Sequence, residues 1–308
     1  MQTSPGAPPT VPFRWIATMM AALVALALVC AWGTLCLLFW QGSWQLLYHP
    51  SAEIVRTPAN VGLGFDAIKF GAVENGQPTL DGWWVPAAAQ NTGYTALYLH
   101  GADGNMGDSV AMVQRLHESG LNVFVFDYRG YGHSKAAHPS EKRWREDADE
   151  ALRYLAGTRH IAPRQTIVVG RDLGANLALE VAARHGELGG AVMLAPLVAP
   201  ANAIFRDART KIVPAELLVS DRWDWRQHAP HVQIPMLWYE WSVAPGVMAL
   251  PPPPDAFDQL KGARTLAWLN PTRDPQAMFG GVLSEWLTAL AQGKNMPPQC
   301  LVGADMPC

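Results

Sequence analysis

A chain of 308 residues is long enough for one large domain or two small ones. Its 23 Lys and Arg against 26 Asp and Glu leave a net charge of −3, so electrostatics gives no reason to expect a nucleic-acid partner. At 49% hydrophobic and 16% charged it is poor in charge for a soluble protein, and the first elements account for part of that.

Residues 1–14 are rich in Pro, Ser and Gly and predict a short disordered tail. Trp15 to Trp40 follows without a single charge, and about 20 apolar residues suffice to cross a bilayer as helix, so 15–40 predicts a transmembrane anchor. Trp15, Trp32, Trp40 and Trp44 suit an interfacial belt, at least at the ends of the run. A cleaved signal peptide fits less well. Its apolar region runs about 7–15 residues and ends in small residues, whereas this run ends in Leu-Leu-Phe-Trp. Arg14 is the only charge before the span, with Glu53 and Arg56 beyond it; the positive-inside rule then places the C-terminal domain on the extracytoplasmic side. In an oxidising compartment Cys300 and Cys308 could close a disulfide loop; otherwise they are two free thiols in a tail spanning 292–308.

Beyond the anchor, apolar strand-like runs alternate with helical patterns, which predicts an α/β fold with a mostly parallel sheet and helices on both faces. Thr95–His100, Leu121–Asp127, Thr166–Gly170, Ala191–Ala195 and Pro235–Tyr239 are the expected buried strands. Ser109–Ser119, Ser140–Ala156 and Ala175–His185 are the expected helices. Charges and tryptophans interrupt the rhythm between Arg206 and His231, which suggests a small cap over 200–232. The run Pro251–Pro254 is expected to be loop. Trp268–Asn270 is expected to end the last strand, and Gly281–Ala291 to form the last helix.

Three segments carry a family likeness. LHGADGN (Leu99–Asn105) resembles the strand-end His-Gly turn of α/β-hydrolases, DYRGYGHS (Asp127–Ser134) resembles their Asp-Tyr-Arg-Gly-Tyr-Gly-x-Ser run, and VVGRDLGANLALEVAARH (Val168–His185) resembles the nucleophile elbow and its helix. With YHPSAEI (Tyr48–Ile54) and DGWWVP (Asp81–Pro86) upstream, the chain is similar to the membrane-anchored, serine aminopeptidase-like branch of the superfamily. The resemblance implies an α/β-hydrolase domain over 46–291. In G-x-S-x-G the nucleophile sits on a strained strand-to-helix turn flanked by glycines. Gly170 and Gly174 keep that spacing. The resemblance also puts the oxyanion-hole donors at Ala102 and Leu173.

The chemistry departs from the family at three positions. Asp172 occupies the nucleophile position. All nine histidines lie at or before His231, and Arg273, or a neighbour, falls where the family's C-terminal His belongs; an arginine keeps its proton and cannot act as base. In PMLWYEWSVA (Pro235–Ala244), Glu240 stands at a His, Trp241 at a Gly and Ala244 at the acid, with Asp255 or Asp258 as shifted acids. Triad members act as a unit, so a combined loss predicts a non-catalytic binding or scaffold domain. A protein partner or a small apolar ligand would suit such a domain, and nothing in the sequence asks for a cofactor or metal. The alternative is an active hydrolase of ester, thioester, haloalkane or epoxide type, with Asp172 as nucleophile and a base from the cap, His228 or His231. A carboxylate at this helix start could also settle as an internal anion on the Leu173 and Ala102 nitrogens.

Among the remaining residues, His100 is expected to shape its turn, and His133 with Ser134 to form a loop element. Asp127 and Arg129 should tie the Tyr-Arg-Gly turn, and Glu146–Glu150 should be a solvated helix face. Trp83, Trp84, Trp223, Trp225, Trp238 and Trp241 are expected in core or cap packing, with pocket lining as the alternative.

Overall fold

Helix α1 spans Phe13–Gly42, and after Arg14 no charge interrupts it; its apolar side chains are almost all exposed within the protein. It is the one helix, among the described residues, long and apolar enough to cross a membrane. The structure, a computed structural model, describes residues 12–88, 91–241, 255–269, 275–296 and 299–301. Two units emerge. The first joins the chain up to Ser43 with Ile204–Ser220, and the second comprises Trp44–Ala203 with Asp221 onward. In the first unit α6 (Ala215–Leu218) lies against α1.

The second unit is built on a sheet. In chain order its strands are β1 (His49–Pro50), β2 (Asp66–Glu74), β3 (Gln77–Val85), β4 (Thr95–Leu99), β5 (Asp103–Gly104), β6 (Asn122–Asp127), β7 (Thr166–Arg171), β8 (Gly190–Leu194), β9 (Met236–Trp241), β10 (Arg264–Leu269) and β11 (Gln299–Leu301). Nine of them form one sheet in the order β11-β10-β9-β8-β7-β4-β6-β3-β2, while β1 and β5 pair separately. From β6 to β11 every pairing is parallel; β3 joins β6, and β2 joins β3, antiparallel. The strands β4 and β8, TALYL and GAVML, are buried throughout, as helix cover on both faces requires.

One face carries α2 (Val110–Glu118) and α8 (Pro275–Ala291), which close over Tyr98, Val125, Val169 and Tyr239. The other carries α3 (Glu141–Gly157) and α4 (Leu173–Arg184). Helix α3 starts where the Ser140 hydroxyl accepts from the Arg143 amide at 3.3 Å, and it buries Trp144, Ala148, Ala151 and Leu155 at three- and four-residue spacing. Between β8 and β9 the chain makes only short helical pieces, including α5 (Asn202–Phe205), and α7 (Asp255–Gln259) precedes β10.

Each strand and helix expected from the sequence is present within about two residues of its predicted bounds, α8 starting earlier than expected. The β2–β3 hairpin went unread. Its signal was Asn75-Gly76, a pair suited to the tight hairpin turn, and both residues take positive φ, 51° and 77°. The strand expected to be last, β10, ends at Leu269 but is not the last: within the C-terminal tail β11 adds a parallel edge strand to it. Pro251–Pro254, Ala244, Arg273 and Cys308 lie outside the described residues, as does the side chain of Cys300, and so does any pairing of the two cysteines.

Candidate functional site

Strand β7 delivers the chain to Asp172, whose φ of 53° and ψ of −122° place it in a region non-glycine residues avoid. Its amide donates to the Leu194 carbonyl at 3.0 Å, and its own carbonyl accepts from Ala175, starting α4. The turn is this sharp because of the glycines around it. A Cβ on Gly170 would meet the Gly174 carbonyl oxygen at 2.1 Å, and one on Gly174 would meet the Leu99 and His100 carbonyl oxygens at 2.2 and 2.4 Å. The elbow is therefore pressed directly onto the end of β4.

That contact brings the His-Gly turn to Asp172. A Cβ on Gly101 would stand 3.3 Å from Asp172 Oδ2. His100 is buried, with Nδ1 2.8 Å from the Gly101 carbonyl and Nε2 3.4 Å from Asp127 Oδ1, which fits the expected shaping of the turn. Leu173 is fully buried at the first position of α4. The Ala102 carbonyl accepts from the His49 amide at 3.0 Å and from the Tyr131 hydroxyl at 2.8 Å, so the turn is held from two sides.

The Asp172 carboxylate does not cap α4. This corrects the internal-anion expectation: its oxygen lies 3.2 Å from Arg171 Nε, an ion pair with the neighbouring guanidinium and not a bond to the helix start. Burial pushes the Asp172 carboxyl up from its ordinary value, Arg171 pulls it down, and the negative charge of Asp103 pushes it up again. The side chain is 41% exposed. Asp103 itself is bound by His49 Nδ1 at 2.6 Å, across the β1–β5 pair. Sequence reasoning did not single out this His49–Asp103 dyad, because the two residues are 54 positions apart and only strand pairing joins them.

The cap histidines are elsewhere. His228 Nε2 sits 3.9 Å from Glu180 Oε2, with Arg145 also paired to Glu180. Glu180 is eight residues beyond Asp172 along α4, about 12 Å of helix. His231 is exposed at the end of a short 3-10 turn. Glu240, at the end of β9, takes the Trp238 indole N–H at 2.8 Å, and burial raises its carboxyl to about 7.

The acidic run on α3 is not the solvated face expected of it. Asp147 is buried and accepts from the Arg129 amide at 2.8 Å and from its Nε at 2.5 Å; Glu146 takes the same guanidinium, and Asp149 pairs with Arg184 and His185. Arg129 thus ties its turn to α3, while Asp127 accepts from the Met106 amide at 2.7 Å. Ser134 bridges the Asp127 carbonyl and the Asp81 amide as the loop element expected. Trp83, Trp84, Trp223, Trp225 and Trp238 are all core residues, and the side chain of Trp241 lies outside the described residues.

With strand order, elbow and turn in place, the chain's likeness to known proteins is specific. A sequence signature described as serine aminopeptidase, S33, matches residues 92–238, which hold all three motifs. The chain has the α/β-hydrolase fold, and over these residues it is similar to that family. The protein YfhR of Salmonella typhimurium is 32% identical over 136 residues, 43% of this chain and 44% of that one. A membrane protein of Saccharomyces cerevisiae, YNL320W, is 30% identical over 155 residues, 49% of this chain and 53% of that one. The chain spans about half the length of these relatives. The esterase Pf2001 of Pyrococcus furiosus superposes with a TM-score of 0.59 at 13% identity, covering 81% of this chain and 99% of that one, a likeness of fold.

Strain at Asp172 gives a direct stability test. A glycine adopts this backbone without the penalty, on the order of 1–3 kcal/mol, that a side chain incurs. The lost ion pair is more than one-third exposed and contributes about 0–1 kcal/mol after screening. Asp172→Gly is therefore expected to raise the melting temperature by roughly 2–4 °C, read by scanning calorimetry on the full-length protein. A lowered melting temperature would mean the carboxylate holds the elbow together.

Proposed function

We propose that this chain is a membrane-anchored α/β-hydrolase-fold protein that no longer runs Ser-His-Asp hydrolysis and serves as a tethered binding or scaffold domain, its C-terminal domain on the extracytoplasmic side. The observation that carries this reading is at Asp172. The nucleophile position holds a carboxylate paired with Arg171, and among the described residues no hydrogen bond or ion pair joins any of the nine histidines to it. A carboxylate beside a guanidinium is a poor nucleophile, and without an imidazole no ester formed on it would be opened by activated water. Fluorophosphonate probes are expected to leave Asp172 unlabelled, and Asp172→Ser alone to show no ester hydrolysis, since the new hydroxyl would still lack a base.

A second reading rests on the His49–Asp103 dyad. Asp103 holds His49 Nδ1 at 2.6 Å in an exposed pair, and Gly101 of the same turn lies beside Asp172. In that case Asp172 attacks carbon, displacing halide or opening the epoxide C–O bond, and His49 takes a proton from the water that attacks the resulting ester carbonyl, releasing the alcohol and the Asp172 carboxylate. A panel of ester, thioester, haloalkane and epoxide substrates separates the two. Turnover lost in both Asp172→Asn and His49→Ala would establish the enzyme; no turnover by the unaltered protein supports the binding domain.

A further inference from the structure

Trp32 is an anomaly in the anchor. It places an indole N–H inside an uncharged run, and unlike the Thr18 and Thr34 hydroxyls it does not bond within the helix; an unpaired donor would be costly in hydrocarbon. The first unit supplies the partner: Trp32 Nε1 donates to the backbone carbonyl of Ile212 at 3.0 Å. Seven residues further along α1, about 10 Å on, the Arg209 guanidinium lies 5.7 Å from the centre of the Phe39 ring, which is itself buried. The segment therefore runs alongside about the last two turns of the apolar stretch.

Depth follows from lengths. The run from Trp15 to Trp40 is 26 residues, about 39 Å of helix, against a hydrocarbon core of about 30 Å. The slack is about 9 Å, and tilt only reduces it. Trp32 lies eight residues, about 12 Å, before Trp40. Even with all the slack at the Trp40 end, Trp32 and the Ile212 carbonyl bonded to it fall at or below the hydrocarbon boundary. Arg209, level with Phe39, falls at the headgroups.

The side chains match that gradient. Ile212 is 61% exposed and Leu217 is 85% exposed, while Arg206 and Lys211 are exposed beside them. Arg209 is neutralised by Asp207 at 2.8 Å, and Lys211 can extend its stem back to the headgroups. Ile212 facing outward at this depth, with cations at the rim, is what an interfacial membrane element presents; Leu217 follows five residues on, beside the exposed Glu216.

We propose that Ile204–Ser220 is a second membrane-contacting element, with Ile212 and Leu217 seated among lipid acyl chains beside the C-terminal half of the anchor. The inference is independent of whether Asp172 is catalytic. The protein would then meet the bilayer through two elements locked together by the Trp32 bond, which fixes how deeply the segment sits.

The test uses full-length protein in phosphatidylcholine vesicles. Single-cysteine variants carry an environment-sensitive fluorophore: Ile212→Cys or Leu217→Cys with the four native cysteines replaced, and a reference retaining only Cys36, which lies within the span. Lipids bearing a nitroxide near the top of the acyl chain are expected to quench the 212 and 217 labels by at least half as much as the Cys36 label, with little quenching by aqueous iodide. Lipid quenching at both positions below one-tenth of the reference overturns the proposal. If iodide then quenches, the segment faces water; if neither quencher reaches the labels, a protein partner or a second copy covers it.

Discussion

Gly174→Ala is expected to destabilise the protein by at least about 3 kcal/mol, although it adds a single methyl group. The added Cβ would lie 2.2 Å from the Leu99 carbonyl oxygen and 2.4 Å from that of His100. Both are backbone atoms at the end of β4, which is hydrogen-bonded on both sides to β6 and β7, so neither can swing away as a side chain would. Relief requires α4 to lift off the sheet, and its first turn, Leu173 to Asn176, is buried. Alanine's usual gain in helix propensity, about 1 kcal/mol over glycine, is too small to offset this. For a domain of this size the melting temperature should fall by roughly 6–12 °C. A fall of less than about 2 °C would show that the elbow is not clamped on the His-Gly turn, and the close approach of Gly101 to Asp172 would go with it.

That clamp also explains how much was legible in the sequence. Gly170 and Gly174 sit in a local motif whose spacing is fixed by strand-to-helix geometry, so the elbow could be read without a structure. The parallel strands were legible for a similar reason: TALYL and GAVML are short apolar runs bounded by turns, as strands buried on both faces must be. Side-chain partnerships were not. The α3 run of Glu146 to Glu150 looks solvated in one dimension, and only the fold brings Arg129, Arg184 and His185 onto it. His49 and Asp103 meet through a two-residue strand pair that no periodicity announces. The Arg171–Asp172 pair lay in plain view as adjacent residues, but whether neighbours on a strained turn touch depends on backbone angles that the sequence does not state.

The largest single loss is expected at Trp144, through which α3 supports the turn bearing Ala102. Trp144 is fully buried and stacks on Tyr128, with centroids 3.9 Å apart and planes 13° from parallel. Tyr48, Tyr131, Trp223 and His100 surround it at 5.5 to 6.2 Å. These rings hold the turn by their polar ends: the Tyr128 hydroxyl donates to the His100 carbonyl at 3.1 Å and that of Tyr131 to the Ala102 carbonyl at 2.8 Å. Tyr48 donates to Asp221 at 2.6 Å and accepts from the Trp223 indole at 3.0 Å. Trp144→Ala would open a cavity among rings already fixed by these bonds, so collapse is limited and the loss should be about 3–5 kcal/mol. The Trp144 indole nitrogen has no hydrogen-bond partner, so phenylalanine gives up volume but no bond. Trp144→Phe should therefore lose only about 1–2 kcal/mol. Denaturant unfolding of the two variants measures the difference, and amide exchange at Gly101–Asn105 should quicken in the alanine variant first. Equal losses in the two would mean the indole N–H, not ring packing, carries the contribution; a loss under about 1.5 kcal/mol in the alanine variant would mean the cluster relaxes freely and does not hold the turn.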